Sequence, residues 1–381
     1  MNPFPNKAQK LLDQRMASEN FRELCDHSDL IDFFSNDYLS FNEAPYLLDK
    51  LRNYINKEQI EYGSTGSRLV SGNRREMEKL EQFFAHFFKG EAALFFSSGF
   101  NANLALFSSI ASKKDTIIYD ALIHASIREG IRLSPARSFG FNHNDLSDLE
   151  IKLDRATGDI FVAVESLYSM DGDFANLKRI AELCEKKGAY LIVDEAHSTG
   201  IYNEDGSGYT CQLGLEQDVF ARVMTFGKGL SCHGATIVGS NKLRDFLINF
   251  GKSFIYTTAP DLLSMKKVKW AIQYRRDNPA LQEELFQNIA YFLKLQKKYF
   301  PFKETFGASP IQTIQIPGSK QAKAAEQILI KNGIATKAIL SPTVPEGMER
   351  LRVCIHRNHT KEDIHAFWDY LGKILTTFQS Q

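Results

Sequence analysis

Residues 190–197 read Tyr190-Leu191-Ile192-Val193-Asp194-Glu195-Ala196-His197, an apolar run that stops on a carboxylate. Consecutive aliphatic residues suit a strand buried on both faces, the kind found in parallel sheets covered by helices. A carboxylate at its end needs a cationic or hydrogen-bonding partner, because burying it unpaired is costly. A helix N-cap is the other role open to Asp194. Similar runs recur to either side, at Ala93–Phe96, Thr116–Tyr119, Ser138–Phe141, Ile160–Val164, Val223–Thr225 and Ala235–Val238. The stretches between them are long enough for crossover helices, so an α/β domain with a mostly parallel seven-stranded sheet is expected.

In open sheets of this type, ligands bind beyond the carboxyl ends of the strands. Besides Asp194, with His197 three residues on, two polar clusters fall at such ends. Ser97-Ser98-Gly99-Phe100-Asn101 follows the first strand and opens a helix. Free N–H groups and a glycine there suit a phosphate, although the same residues also serve as plain capping. Thr225-Phe226-Gly227-Lys228-Gly229 closes another strand with one lysine among small residues. Alone, Lys228 reads as a surface lysine in a glycine-rich turn; desolvated, its amine becomes a nucleophile able to form an imine with an aldehyde. A phosphate cradle, an acid and a lysine at strand ends together match the needs of pyridoxal 5′-phosphate (PLP). The lysine takes the aldehyde, the helix N-terminus the phosphate, and the acid keeps the pyridine nitrogen protonated.

The 381-residue chain carries 46 Lys+Arg against 46 Asp+Glu, so its charge favours neither nucleic acid nor an anionic membrane as a partner. Its five cysteines, Cys25, Cys184, Cys211, Cys232 and Cys354, are odd in number and without paired spacing. That fits reduced thiols and a cytoplasmic protein better than a disulfide frame or a metal site. No stretch has the apolar length of a signal or a membrane span, so a soluble protein is expected.

From Lys7 to about Glu23, Ala8, Leu11, Leu12 and Met16 recur at helical spacing in a charged background. An amphipathic helix is expected, packed on another surface such as a second subunit. Residues 33–39 read as a short strand running into a polar turn. Residues 61–73, rich in glycine and hydroxyls, read as a loop, either functional or an ordinary surface excursion. After residue 246 the rhythm shifts to longer helices, then to a smaller α+β run. The expected organisation is an N-terminal helix and arm (1–45), a large cofactor-binding domain (46–280) and a small C-terminal α+β domain (281–381).

Further motifs accompany these. They include Ser35-Asn36-Asp37-Tyr38-Leu39, Gly66-Ser67-Arg68-Leu69-Val70-Ser71-Gly72, His124-Ala125-Ser126, Glu165-Ser166-Leu167-Tyr168-Ser169-Met170-Asp171-Gly172-Asp173 and Leu351-Arg352-Val353. With them the chain, from about Phe34 to its final helix, resembles the α-oxoamine synthases. These are PLP-dependent fold-type I enzymes that condense an amino acid with an acyl thioester and release carbon dioxide. The resemblance implies that Lys228 holds the cofactor and acts as general base, that Asp194 pairs with the pyridinium, and that His124 stacks on its ring. It puts His197 and Ser169 at the phenolic oxygen, and Ser98, Gly99, Phe100 and Thr225 around the phosphate. Thr257 and Thr258 would reach the phosphate of a neighbouring subunit, which implies a homodimer. Arg352 would clamp the substrate carboxylate with help from Asn36. Without the resemblance, His124 reads as a solvated cap, Thr257-Thr258 as a β-propensity pair and Arg352 as a solvated strand arginine.

Within the family, Pro342-Thr343-Val344-Pro345 looks most like the branch of biotin synthesis that joins L-alanine to a pimeloyl thioester, carried by coenzyme A or a carrier protein. Two departures leave amino acid and acyl chain open. Arg352 is followed by Cys354-Ile355-His356-Arg357-Asn358-His359 where small residues are usual, and Arg68 stands in the glycine-rich loop, as in the branches using serine with a long-chain acyl thioester or glycine with acetyl-CoA. A non-catalytic regulatory subunit on the same fold is the remaining reading. The presence of Lys228, Asp194 and His124 argues against it.

Overall fold

The computed structural model describes residues 4–18, 21–57, 63–299 and 307–379. Glu61 and Tyr62 of the expected loop, and Glu19 and Asn20 of the expected first helix, lie outside them. Among the described residues, strands occur in the order β1 (Ile31–Asp32), β2 (Ala92–Phe96), β3 (Thr116–Asp120), β4 (Arg137–Phe141), β5 (Ile160–Glu165), β6 (Tyr190–Asp194), β7 (Ala221–Thr225), β8 (Ala235–Gly239), β9 (Ile311–Gln315), β10 (Ile334–Ala335), β11 (Lys337–Ile339) and β12 (Arg350–Cys354). The described chain divides into two compact units, one of residues 36–286 and one of residues 1–35 with 287–381.

The larger unit is built on a seven-stranded sheet of order β2-β8-β7-β6-β5-β3-β4. β3, β4, β5, β6 and β7 run parallel, while β8 is antiparallel to both its neighbours, so β2 points the same way as the parallel group. The carboxyl ends of β2, β7, β6, β5 and β3 therefore share one edge. Successive residues of each strand alternate between faces. Ile192, Ala163, Phe161, Ile117, Val223 and Ile237 join one core with the helices Gly99–Ser109, Ala125–Leu133 and Asn241–Phe250. Leu191, Val193, Val162, Val164 and Ile118 join the other with the helices Leu146–Asp154 and Leu177–Lys187. Burial on both faces is why these strands read as unbroken apolar runs.

The glycine-rich loop is pinned from inside this unit. Arg68 donates from Nη1 and Nη2 to the two carboxylate oxygens of Glu81 at 2.9 and 3.1 Å, and from Nε to Asn73 Oδ1 at 2.7 Å. Glu81 Oε1 also accepts the Phe95 N–H at 2.9 Å. Both side chains are buried, at 6% and 3% exposure, so Arg68 is occupied as a bidentate clamp between loop and helix. Arg68→Ala leaves a buried carboxylate without its cation. It is expected to cost about 3–5 kcal/mol of stability, measured by urea unfolding.

In the smaller unit, β12 lies between β11 and β9 in an antiparallel sheet, and β1 pairs with β10. The strand expected around residues 33–39 does not form: β1 ends at Asp32, whose Oδ1 turns the chain by accepting the N–H groups of Phe34 and Ser35. The first helix spans Asn6–Ala17 and buries none of its residues.

Candidate active site

The shared carboxyl edge collects most of the residues singled out in the sequence. Asp194 closes β6 and is buried, its Oδ1 accepting the Ala196 N–H at 2.9 Å. Asn103 Nδ2 donates to Asp194 Oδ2 at 2.8 Å and to Ser126 Oγ at 2.9 Å, which uses both amide hydrogens. Ser126 Oγ lies 2.7 Å from His124 Nδ1, and that nitrogen also accepts the Ser126 N–H at 3.2 Å. One network of hydrogen bonds therefore joins His124 to Asp194, donated outward from Asn103, directly to Asp194 and through the Ser126 hydroxyl to His124. It leaves Nδ1 of His124 as an acceptor, so the neutral ring carries its proton on Nε2. Burial lowers the His124 pKa; Asp194 opposes that shift and Lys228 adds to it.

Glu165 ends β5 directly beside Asp194 in the parallel register. Burial, with the Asp194 charge next to it, pushes its pKa up to about 8 against the opposing pull of Lys228. Its Oε1 is buried without a hydrogen-bond partner, as suits a carboxyl kept neutral next to a carboxylate.

Lys228 lies half-buried between β7 and β8, in a loop closed by bonds from Ser231 N to Lys228 O (2.8 Å) and from Cys232 N to Phe226 O (2.7 Å). Gly229 packs so closely that a Cβ would fall 2.8 Å from Thr199 O. The Ser231 hydroxyl donates to Asp37 Oδ1, which also accepts the Phe41 N–H at 2.9 Å. The loop that aims Lys228 is thus tied to the turn after Asn36. Asn36 Oδ1 accepts the Tyr38 hydroxyl at 2.9 Å, and that hydroxyl lies 2.7 Å from His197 Nδ1, which joins Asn36 to His197.

Ser98 caps the helix Gly99–Ser109, its Oγ accepting the Asn101 N–H at 3.2 Å. The first N–H groups of a helix have no intrahelical acceptor and point outward from its positive end. A Cβ on Gly99 would sit 2.6 Å from Thr225 Cγ2, so the missing side chain is what lets the helix start approach the end of β7. Gly99→Ala is expected to cost about 1–3 kcal/mol by overpacking, read as a lower midpoint in urea. Phe100 is partly exposed, and Ser169 is buried in the turn between Leu167 and Phe174, which bridge each other.

Thr257 and Thr258 follow the short helix Lys252–Ile255 and line a surface cavity of about 440 Å³ with Ser67, Leu69, Val70 and Tyr256. Arg352 belongs to the smaller unit. It is buried on β12 opposite Thr313 and Lys337, and its Nη1 donates to Cys354 Sγ at 3.0 Å. The histidines that follow it have structural partners in that unit. His359 accepts the His356 N–H on Nδ1 (3.0 Å), donates from Nε2 to Asp32 O (2.8 Å) and stacks on Phe33 at 3.9 Å. His356 Nε2 lies 3.0 Å from Ser35 O.

Ser126, Glu165 and Tyr38 stood inside quoted motifs and Asn103 two residues past the end of one, but sequence reading gave them no task. Only Glu165 carried a usable signal: counting the strand ends puts it level with Asp194. No group of three or more His, Cys, Asp or Glu side chains among the described residues is arranged to hold a metal ion, and no helix among them is long and apolar enough to cross a membrane.

Comparison with known proteins places these features. The aminotransferase class I and II family matches residues 28–371. An 8-amino-7-oxononanoate synthase from Emericella nidulans is 36% identical, covering 93% of this chain and 91% of the relative. The solved 8-amino-7-oxononanoate synthase of Francisella tularensis superposes with a TM-score of 0.80 at 30% identity, covering 93% of this chain and all of that one (100%). The serine palmitoyltransferase of Sphingomonas wittichii gives 0.89 at 25% identity, covering 98% of each chain. Further structures of that kind, solved with PLP, are also 25% identical to this chain.

Proposed function

Because the chain belongs to the aminotransferase class I and II family and, within it, to the PLP-dependent α-oxoamine synthases, we propose that it joins L-alanine to a pimeloyl thioester with loss of carbon dioxide, giving 8-amino-7-oxononanoate for biotin synthesis. The observation that carries the catalytic part is the hydrogen-bonded run from Asp194 through Asn103 and Ser126 to His124, on the sheet edge that also bears Lys228 and the Ser98-Gly99 helix start. An acid fixed in orientation, a helix start of small residues with outward N–H groups and a constrained lysine are what PLP needs around it, and Gly99 lets that helix start lie against Thr225 at the end of β7. When bound, PLP supplies an electron sink for proton removal and for decarboxylation.

The chain's own residues do the rest. Lys228 would hold the cofactor's aldehyde, and its amine would take the proton from the amino acid's Cα and return one. Asp194 keeps the pyridine nitrogen protonated, and Asn103 and Ala196 keep its oxygens aimed. Ser98, Gly99, Phe100 and Thr225 bind the phosphate. His124 holds the ring, with His197 and Ser169 at its phenolic oxygen. Arg352, with a planar fork that matches a carboxylate, and Asn36 bind the amino acid. Thr257 and Thr258 serve the phosphate of a second subunit, so the working form is a homodimer in the cytoplasm. The acyl donor is pimeloyl-coenzyme A or a pimeloyl carrier protein.

A second reading, serine with a long-chain acyl thioester, is favoured by the higher TM-score of the serine palmitoyltransferase. Purified protein loaded with PLP, given each amino acid with each thioester and assayed for product by mass, separates the two. Product from alanine and pimeloyl-CoA is the expected result. Product only from serine with palmitoyl-CoA, or only from glycine with acetyl-CoA, moves the assignment to that branch.

A further inference from the structure

We infer that His143 is a positioning residue that holds together the two turns presenting His124 and Ser169, a role that rests on the PLP reading above. His143 follows β4. Its Nδ1 lies 2.9 Å from Asp120 Oδ1, and its Nε2 lies 2.8 Å from Asp173 Oδ2. Ionised carboxylates only accept, so both ring nitrogens must donate, and the ring bridges them as an imidazolium. Burial opposes that charge, but the two carboxylates prevail and raise the pKa to about 10. Tyr168 meets the ring edge-on at 4.5 Å and completes its surroundings.

Each carboxylate anchors a different turn. Asp120 ends β3, where its Oδ1 accepts the Leu122 N–H (2.8 Å) and its carbonyl accepts the Ile123 N–H (3.2 Å), which shapes the turn into His124. The Asp173 carbonyl accepts the Tyr168 N–H (2.9 Å), and the Tyr168 carbonyl accepts the Gly172 N–H (3.0 Å), closing the turn that carries Ser169. Asn144 repeats the bridge beside the cation. Its N–H donates to Asp120 Oδ2 at 3.0 Å and its Nδ2 to Asp173 Oδ2 at 2.7 Å, from a φ of +55 that asparagine tolerates. Without the cation, two carboxylates face each other across the gap and push the turns apart.

The test compares holoenzyme with His143→Gln and with Asp173→Asn, the latter a milder change on the more exposed side of the bridge. Both are expected to bind PLP at least about tenfold more weakly and to lose about 100-fold in kcat with little change in KM, as displaced cofactor contacts should do. The visible band of bound PLP should shift. If both variants melt earlier but keep wild-type PLP affinity and spectrum, the role is structural only and the inference is overturned. In 15N-histidine-labelled wild-type protein, one of the nine histidines is expected to keep both ring protons at about pH 8.5, where an ordinary histidine is neutral. All nine neutral at that pH also overturns it, even if His143→Gln does not fold. Wild-type protein that takes up no PLP signals a different failure, that of the PLP reading itself.

Discussion

Lys228→Ala is expected to lower turnover by at least about 10³-fold while the far-UV circular dichroism and the unfolding midpoint stay close to wild type. The two halves of this result have separate causes. Lys228 is half-buried in a loop whose shape comes from backbone bonds of Ser231 and Cys232, from the close packing of Gly229 and from the tie between Ser231 and Asp37. None of these uses the lysine side chain, so its truncation leaves the loop in place. Its amine, in contrast, is assigned both the cofactor's aldehyde and the proton at the substrate Cα. No neighbour can take over. His124 lies close enough for the Lys228 charge to lower its pKa, but its Nδ1 is already committed to Ser126. Borohydride treatment followed by peptide mass analysis provides the companion readout. PLP is expected to be fixed on Lys228 in the wild type and on no residue in the variant.

Asp194→Asn is the second large effect, expected to cost about 10²–10³-fold in kcat. The substitution keeps volume and removes charge. The local network can adapt to it, because Asn103 Oδ1 has no hydrogen-bond partner and can turn to face a new amide, with the Ser126 hydroxyl rotating to compensate. The fold should therefore persist. What disappears is the negative charge proposed to hold the pyridine nitrogen protonated, and with it the electron demand the ring would supply. Glu165 responds as well. Part of its raised pKa, about 8, comes from the Asp194 charge, so neutralising that charge lowers the Glu165 pKa and favours its ionised form near neutral pH. Glu165 then becomes the nearest carboxylate and sets the residual rate. The double variant with Glu165→Gln is expected to be slower than Asp194→Asn alone.

The seven strands were legible because each is apolar on both faces or ends in a polar cluster, and the order of clusters along the chain pointed to one ligand edge. β4 is the exception in pattern: four of its five residues are exposed, as suits an edge strand, and only the spacing of its neighbours marked it. Within Asp194-Glu195-Ala196-His197 the sequence could not divide the work. Glu195 is as buried as Asp194, yet its carboxylate accepts the N–H groups of Tyr209 and Thr210 at 2.8 and 2.9 Å. It is a structural acid; Asp194 is aimed at the edge. The network through Asn103 and Ser126 joins residues of two helices with a strand end, and no local pattern announces a contact of that sequence separation. Arg68 and His359 show the converse. Both looked like departures bearing on substrate choice, and both are spent on internal partners, Glu81 for one and Asp32 and His356 for the other.

Under the proposed function, this sheet edge makes a carbon–carbon bond at the cost of the amino acid's carboxyl group. Carbon dioxide released from carboxyl-labelled L-alanine, measured with and without pimeloyl-CoA alongside free thiol, tests it most directly. Label release that requires the thioester, with one thiol freed per carbon dioxide, is the predicted result. Conversion of alanine to pyruvate without label release, or label release that ignores the thioester, would contradict it.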